Sequence, residues 1–403
     1  MDNLKSLSVE IEEHIGPGLD TFKPLLEKNK AIITSIPKKT FKYGATDRHQ
    51  LDVYYPLNPA TPGTKAPIIF FIYGGGFVHG DRNFPAPFDL LYYNIGAFFA
   101  QRGFITVVAD YRLAPEFKYP AAGAEDILDA IKWAVTHPAD LVSGSSPAPD
   151  LDSIFIMGHS AGATHAATII FHQKLIPLGS DLRKRIKGVL LMGGIYHYVP
   201  GVSNWKNIAE PYWGTEENAN ANSPLTLLLS WFESASASGV KPPKLLVLQA
   251  ENEPKWIYEP GLDLHRVLEW QVGESVEYVE AKGHIHVSLF CALSSGEGEE
   301  WGVKATDWMW DVVRGGGVGG GEFLKDARET DEHQCPKCQQ QKTRSFKVEI
   351  GSKVTPGSKV RARCPRLIAC HLPPYHFLNP CRHLSGKFLY HSPVPSLDCW
   401  TNS

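Results

Sequence analysis

Short apolar runs alternate with longer segments of helical periodicity from about residue 40 to residue 314. The runs are rich in Ile, Val, Leu and Phe and lack strict alternation, which is typical of strands buried on both faces of a sheet. We predict strands at residues 50–55, 67–72, 104–109, 153–157, 188–192, 244–249 and 275–279. We predict helices at residues 90–102, 121–136, 161–175, 262–271 and 301–314. This order indicates an α/β protein with a mostly parallel sheet and helices on both faces.

Two segments, 1–39 and 196–242, lie outside this alternation. The first contains a helical stretch at residues 7–26, which we expect to be interrupted at Gly16-Pro17-Gly18. The second has no clear strand, and its aromatic residues include Trp205, Tyr212, Trp213, Trp231 and Phe232. Each segment is predicted either to form part of a lid over a cleft or to be a surface helix with aromatic anchors.

The C-terminal part differs in composition from the rest. Residues 315–333 begin with a Gly-rich stretch typical of a flexible linker. Residues 334–403 hold 11 Lys and Arg against two Asp and Glu, and six of the seven cysteines. We predict a basic, Cys- and Pro-rich disordered tail. Two alternatives are a structural zinc site, with Cys335, Cys338, Cys364 and Cys370 as its thiolates, and binding of nucleic acid. The first has poor ligand spacing and the second lacks a known module, so we predict neither metal nor nucleic-acid partner.

The body of the chain, residues 1–333, is acidic, with 29 Lys and Arg against 41 Asp and Glu, and it holds only one cysteine, Cys291. A body of this size without a disulfide framework fits a reducing compartment. The N-terminal residues have no apolar core of a secretory signal, and no apolar stretch is long enough for a membrane span. We therefore predict a cytoplasmic protein without a membrane partner. Composition predicts nothing about its oligomeric state.

The strongest local pattern is Gly158-His159-Ser160-Ala161-Gly162, which follows a predicted strand and opens a predicted helix. Gly-x-Ser-x-Gly at such a junction is typical of a nucleophile held on a strained turn, with glycines where side chains would collide with the neighbouring strand and helix. The alternative is a tight turn whose serine only caps the helix. We predict that Ser160 is a catalytic nucleophile.

A second pattern, Tyr73-Gly74-Gly75-Gly76, follows the strand predicted at residues 67–72. Consecutive glycines let backbone N–H groups turn towards an anion. A tetrahedral intermediate at Ser160 needs such donors, so we assign an oxyanion hole to the N–H groups of Gly75, Gly76 and Ala161. The loop lacks the Lys-Ser/Thr of a phosphate-binding loop.

These motifs resemble those of the α/β-hydrolase fold, and within it the hormone-sensitive-lipase-like esterase group. That group carries His-Gly-Gly-Gly, Asp-Tyr-Arg-Leu-Ala-Pro-Glu and Gly-x-Ser-Ala-Gly in this order. The chain has the glycine loop, then Asp110–Glu116 with the same seven residues, then the turn at Ser160. The resemblance covers about residues 45–314 and implies an eight-stranded sheet with a partial lid. Tyr73 departs from the pattern, because the group usually has histidine there.

The resemblance also implies an acid and a histidine after the nucleophile, in that order. In related esterases the acid precedes a proline after a late strand, which selects Glu253, with Glu251 as the competing candidate. The histidine lies about three residues beyond a glycine, which selects His286 after Gly283, with His284 as the alternative. The chain is thus expected to be one hydrolase domain over residues 1–314.

We therefore predict a serine hydrolase that cleaves carboxylic esters of small to medium, apolar substrates and needs no cofactor. Cleavage of amides (arylformamides) or lactones by the same three residues is an alternative. A non-catalytic ligand receptor on a hydrolase scaffold is a second alternative, although such a protein would be expected to lose one of the three residues.

Overall fold

The computed structural model describes residues 1, 4, 6–61, 63–198 and 205–315. The predicted linker and tail, including the cysteines of the zinc alternative, lie outside the described residues from residue 316 onwards. The last described helix ends at Val313, and the predicted domain division near residue 314 stays a prediction.

Eight strands form one sheet in the described residues, in the order β1-β2-β4-β3-β5-β6-β7-β8. The strands are β1 Lys38–Lys42, β2 Gln50–Tyr54, β3 Ala66–Ile72, β4 Ile105–Ala109, β5 Pro149–His159, β6 Ile186–Met192, β7 Lys244–Asn252 and β8 Glu277–Ile285. β1 and β4 pair antiparallel with β2, and all other pairs are parallel. The predicted mostly parallel eight-stranded sheet of the α/β-hydrolase fold is confirmed.

Twelve α-helices accompany the strands in the same part of the chain. They are α1 Ile11–Lys28, α2 Lys30–Thr34, α3 Tyr93–Ala100, α4 Asp126–Thr136, α5 Ala161–Phe171, α6 Asp181–Arg185, α7 Glu210–Trp213, α8 Glu216–Asn222, α9 Pro224–Ser238, α10 Lys255–Val272, α11 Ser288–Cys291 and α12 Glu300–Val313. A single π-helical turn lies at Trp205–Ala209, whereas Ala121–Glu125, before α4, is kinked, with non-helical dihedral angles at Ala122 and Gly123. No helix among these residues is both long and apolar enough to cross a bilayer.

The central strands are apolar runs because both of their faces are covered. Every residue of β3 and of β4 is buried. Crossovers between parallel strands through a helix are right-handed. In the strand order given above, α3 connects β3 to β4 in one direction along the sheet, whereas α4 and α5 connect β4 to β5 and β5 to β6 in the other direction. Helix α3 therefore lies on the face of the sheet opposite to α4 and α5. The chain therefore leaves the neighbouring strands β3 and β5 in opposite directions. Ligands of open α/β sheets bind at such a reversal point, beyond the carboxyl ends of the two strands.

The edge strands are less apolar than the centre. β1 has the sequence Lys-Lys-Thr-Phe-Lys and is at most half-buried. It was not among the predicted strands because it carries no apolar run. β8, at the opposite edge, exposes Glu277 and Lys282. Both edges thus present charged side chains next to the sheet.

Helix α1 is continuous from Ile11 to Lys28, so the predicted interruption at Gly16-Pro17-Gly18 is wrong. A proline inside a helix removes one backbone hydrogen bond, and here packing offsets that loss. A Cβ at Gly18 would lie 2.6 Å from Val287 Cγ2, so glycine lets the helix approach the loop after β8. His14, Gly18, Phe22 and Leu26 form the buried face of the helix.

Candidate active site

Ser160 lies between the end of β5 and the first residue of α5, with φ 57° and ψ −124°. A positive φ is strained for a residue with a side chain, and here the surroundings impose it. A Cβ at Gly158 would collide with Gly162 O, and a Cβ at Gly162 would collide with Ile72 O of β3. Only glycine therefore fits on either side of the serine. The collisions involve the neighbouring strand and the helix, as the motif predicts.

The glycine loop leaves β3 directly beside Ser160, because Ile72 of β3 pairs with Gly158 of β5. A Cβ at Gly74 would lie 2.7 Å from Ser160 Cβ. Gly75 and Gly76 have φ values of 132° and 59°, which favour glycine. Within the described residues, neither N–H of these two glycines has a hydrogen-bond acceptor. Two unpaired donors thus lie in the loop that passes beside the serine.

Tyr73, which stands where the related esterases have the histidine of His-Gly-Gly-Gly, anchors the glycine loop. Its buried hydroxyl donates to Asp110 Oδ1 at 2.9 Å and accepts from Arg48 Nη2 at 2.9 Å. Arg48 Nη2 also donates to Gly80 O at 2.8 Å, on the far side of the loop. The Tyr73 ring stacks on Tyr111, with centroids 4.7 Å apart. Burial raises the pKa of Tyr73 well above 10, so the hydroxyl keeps its proton.

His286 and Glu253 form a buried pair. His286 Nδ1 donates to Glu253 Oε2 at 2.8 Å, and the two side chains are 3% and 0% exposed. Because a carboxylate oxygen accepts, the ring hydrogen lies on Nδ1 and leaves Nε2 able to take a proton. The pair packs against the turn after β6, where a Cβ at Gly193 would lie 2.6 Å from Glu253 Oε1 and 3.1 Å from His286 Nδ1. Gly193 has φ 52°, which also favours glycine.

The two competing candidates lie elsewhere. Glu251 accepts from Gly283 N at 2.8 Å and from Lys282 Nζ at 3.2 Å. His284 Nδ1 lies 2.9 Å from Ser288 Oγ. Burial lowers the pKa of His284 to about 4. Both side chains line a surface cavity of about 550 Å³ beside β8, and Ser160 is not part of its lining.

His159 connects the nucleophile turn to the His286 loop, a role that its sequence position next to Ser160 did not indicate. Its Nε2 donates to the backbone oxygen of His286 at 3.0 Å, and the two rings lie 4.5 Å apart. Burial, and then the neighbouring His286, lower the pKa of His159 well below 6.5. A neutral ring with its hydrogen on Nε2 can make this bond at neutral pH. His159 thus links Ser160 to the segment that carries His286.

Apolar side chains surround these groups on two sides. Above the glycine loop, Phe77 stacks on Tyr212 with centroids 4.4 Å apart, and Ile208 approaches Gly76. Beside Glu253, the buried cluster of Ile195, Trp256 and Ile257 contacts Ile11 of α1 and Tyr198. Trp231 is different, because it packs on Phe171 of α5 inside the main core. Segments 1–39 and 196–242 therefore both contribute side chains around the serine turn.

The family follows from comparison with known proteins. A family model described as the alpha/beta hydrolase fold matches residues 69–290, which is more than half of the chain. The chain belongs to this family. The resemblance to hormone-sensitive-lipase-like esterases is confirmed, and the chain is an α/β hydrolase that is similar to carboxylesterases.

Among curated relatives, the chain is 30% identical over 202 residues to "Probable carboxylesterase 2" of Arabidopsis thaliana, covering 50% of this chain and 51% of that protein. It is 38% identical over 118 residues to an esterase, LipI, of Mycobacterium tuberculosis, covering 29% and 32% of the two chains. It is 34% identical over 145 residues to a non-reducing polyketide synthase of Aspergillus calidoustus, covering 35% and 6%. The chain thus spans about half or less of these relatives.

Solved structures agree on the fold. An esterase from Rhizomucor miehei superposes with a TM-score of 0.53 at 21% identity, covering 72% of this chain and 91% of that one. Carboxyl esterase 2 of Tuber melanosporum superposes with a TM-score of 0.52 at 18% identity, covering 69% and 87%.

Proposed function

We propose that the protein hydrolyses carboxylic esters through a covalent acyl-enzyme, with Ser160 as nucleophile. The observation that carries this proposal is the buried Glu253–His286 pair, joined through His159 to the strained turn at Ser160. A serine hydroxyl is a weak nucleophile until a base takes its proton, and an imidazole with a free Nε2 is such a base.

In the first half-reaction, Ser160 Oγ attacks the ester carbonyl carbon while His286 Nε2 takes the hydroxyl proton. Glu253 keeps the ring hydrogen on Nδ1 and stabilises the imidazolium without taking its proton. The oxyanion of the tetrahedral intermediate accepts from the N–H groups of Gly75, Gly76 and Ala161. Each such donor typically contributes about 2.7–4 kcal/mol to lowering the barrier. His286 then gives its proton to the leaving alcohol oxygen, and the acyl group stays on Ser160.

In the second half-reaction, water gives its proton to His286 and its oxygen attacks the acyl carbon. The same backbone groups hold the second oxyanion, and the proton on His286 returns to Ser160 Oγ as the acid product leaves. No other group is needed for the atoms to balance.

The residues around the serine turn support a pocket for small to medium, apolar substrates. Its walls would be Phe77 and Tyr212 on one side and Trp256 and Ile257 on the other, with α1 and α7 as covering elements. Residues 1–39 and 196–242 then act as lid segments of one catalytic domain over residues 1–314. A screen of acyl chain lengths tests this, and a preference for long, emulsified chains would contradict it.

The direct test is hydrolysis of p-nitrophenyl acetate and butyrate by the wild type and by Ser160→Ala. We expect the variant to lose at least about a thousandfold in kcat, since the nucleophile is absent. Equal rates in the two proteins would contradict the proposal. A fluorophosphonate probe should label the wild type at Ser160, whereas folded protein without label would favour the ligand-receptor alternative. Rates of hydrolysis of matched amide and lactone substrates test the alternatives of amide and lactone cleavage.

A further inference from the structure

His14 on helix α1 lies over the Glu253–His286 pair. Residues three and four positions apart share a helix face, so Ile11, His14 and Gly18 form one row along α1. Ile11 contacts the cluster that includes Trp256 and Ile257, just after Glu253 in the chain, and Gly18 lies against Val287, just after His286. His14, between them, is fully buried. Both Glu253 and His286 act electrostatically on its ring.

The two ring nitrogens of His14 have different environments. Nδ1 lies 3.0 Å from the backbone oxygen of Ser8, and a carbonyl oxygen can only accept, so Nδ1 carries the hydrogen. Burial lowers the pKa of His14 by more than the hydrogen bond to Ser8 raises it, so the ring is neutral near pH 7. Nε2 is then a bare acceptor. It is buried and has no hydrogen-bond partner among the described residues.

An unpaired buried acceptor costs about 1–3 kcal/mol, and a substrate group that donates to it would remove that cost. The proposed mechanism determines which part of the substrate faces His14 Nε2. His286 gives its proton to the leaving alcohol, so the alcohol portion of the ester lies beside His286. The apolar side chains around this side, Ile11, Ile195 and Trp256, fit a hydrocarbon body with a single polar group.

We infer that His14 is a specificity-determining residue whose Nε2 accepts a hydrogen bond from a second hydroxyl group on the alcohol portion of the substrate. This inference rests on the proposed ester hydrolysis. The substrate class is then the mono-esters of apolar diols and dihydroxybenzenes. A site that pairs with a substrate hydroxyl discriminates strongly against the analogue without it, because the buried acceptor is then left unpaired.

The test compares 3-hydroxyphenyl butyrate with 3-methylphenyl butyrate, which are nearly equal in size and differ in the donor. Each kcat/KM is divided by the rate constant for hydroxide hydrolysis of the same ester, to remove the difference in leaving-group reactivity. We expect the wild type to favour the hydroxyl ester by about tenfold, which corresponds to about 1.4 kcal/mol. A preference at or below one would overturn the inference.

Two variants separate the acceptor from the shape of the side chain. His14→Phe removes the acceptor, and His14→Gln offers an amide oxygen near the position of Nε2, while both lose the bond to Ser8. We expect His14→Phe to lose the preference through slower cleavage of the hydroxyl ester alone, and His14→Gln to keep most of it. Equal preferences in the wild type and His14→Phe would overturn the inference. If neither variant folds, the wild-type preference decides.

Hydrolysis of p-nitrophenyl butyrate by the wild type and Ser160→Ala, run alongside, distinguishes the two levels of failure. If the wild type is fast and Ser160→Ala is slow, but the wild type shows no preference for the hydroxyl ester, only the role of His14 is refuted. Equal rates in those two proteins would refute the proposed function, and the inference about His14 with it.

Discussion

Gly193 offers a direct test of whether the position of Glu253 controls activity. A Cβ at Gly193 would lie 2.6 Å from Glu253 Oε1, whereas ordinary contacts begin at 3.4 Å. In Gly193→Ala the carboxylate must therefore move by about 0.8 Å, or the turn after β6 must move instead. Either shift disturbs the 2.8 Å bond to His286. A misplacement of about 1 Å in a catalytic site can lower the rate by about a hundredfold, so we expect kcat to fall by about that factor.

Backbone strain needs its own control, because Gly193 has φ 52°. Alanine in the left-handed region costs about 1–2 kcal/mol of stability, whatever surrounds it. Gly273, after α10, has φ 74° and no atom within 4 Å of its Cβ position. Gly273→Ala should thus lose similar stability and keep its kcat.

The assay is the initial rate of p-nitrophenyl butyrate hydrolysis over a range of concentrations, with thermal unfolding measured on the same samples. The expected pattern is two variants of similar stability, of which only Gly193→Ala is slow. A folded Gly193→Ala with kcat within about threefold of the wild type would refute the proposed role of Glu253.

Three further predictions address the loop anchor, acid sensitivity and the end of the domain. Tyr73→Phe leaves the buried Asp110 without its hydroxyl donor, so thermal unfolding should show a loss of about 1–3 kcal/mol, and an unchanged stability would contradict the anchoring role. The pKa of His284 is 6.5 in the unfolded chain and about 4 in the fold, so the unfolded state binds more protons between these values and stability falls as the pH drops from 6.5 to 4. His284→Asn should flatten that fall in urea unfolding at pH 7 and pH 4.5, and an equal fall in both proteins would refute this cause. Truncation after Arg314 should leave esterase activity and thermal unfolding unchanged, because α12 already ends at Val313, and an insoluble or inactive product would contradict the proposed domain end.

The central strands and the serine turn could be predicted from sequence because local physics determines them. Strands buried on both faces need continuous apolar runs, which β3 and β4 have. The glycines at 158 and 162 are required by contacts within one strand–turn–helix unit and its neighbour. Such features depend on a few adjacent residues and a single packing partner.

Features that depend on distant parts of the chain could not be predicted in the same way. β1 is a strand because it pairs with β2, and its own residues are mostly polar. Helix α1 continues through Pro17 because its buried face packs on the loop after β8. The choice between Glu251 and Glu253 depends on how β7 ends, where its register with β8 shifts between Ala250 and Asn252; one carboxylate accepts from Gly283 N and the other from His286. The buried acceptor on His14 results from the same long-range packing.

The charged edges of the sheet also bear on behaviour at high protein concentration. A strand at an edge has unpaired N–H and C=O groups that another chain could extend, as happens in fibrils. Lys39 and Lys42 on β1, and Glu277 and Lys282 on β8, are exposed at the two edges. A second copy docking there would have to take these charges out of water. The eight-stranded sheet can therefore be strongly apolar at its centre, while its edges resist growth into aggregates.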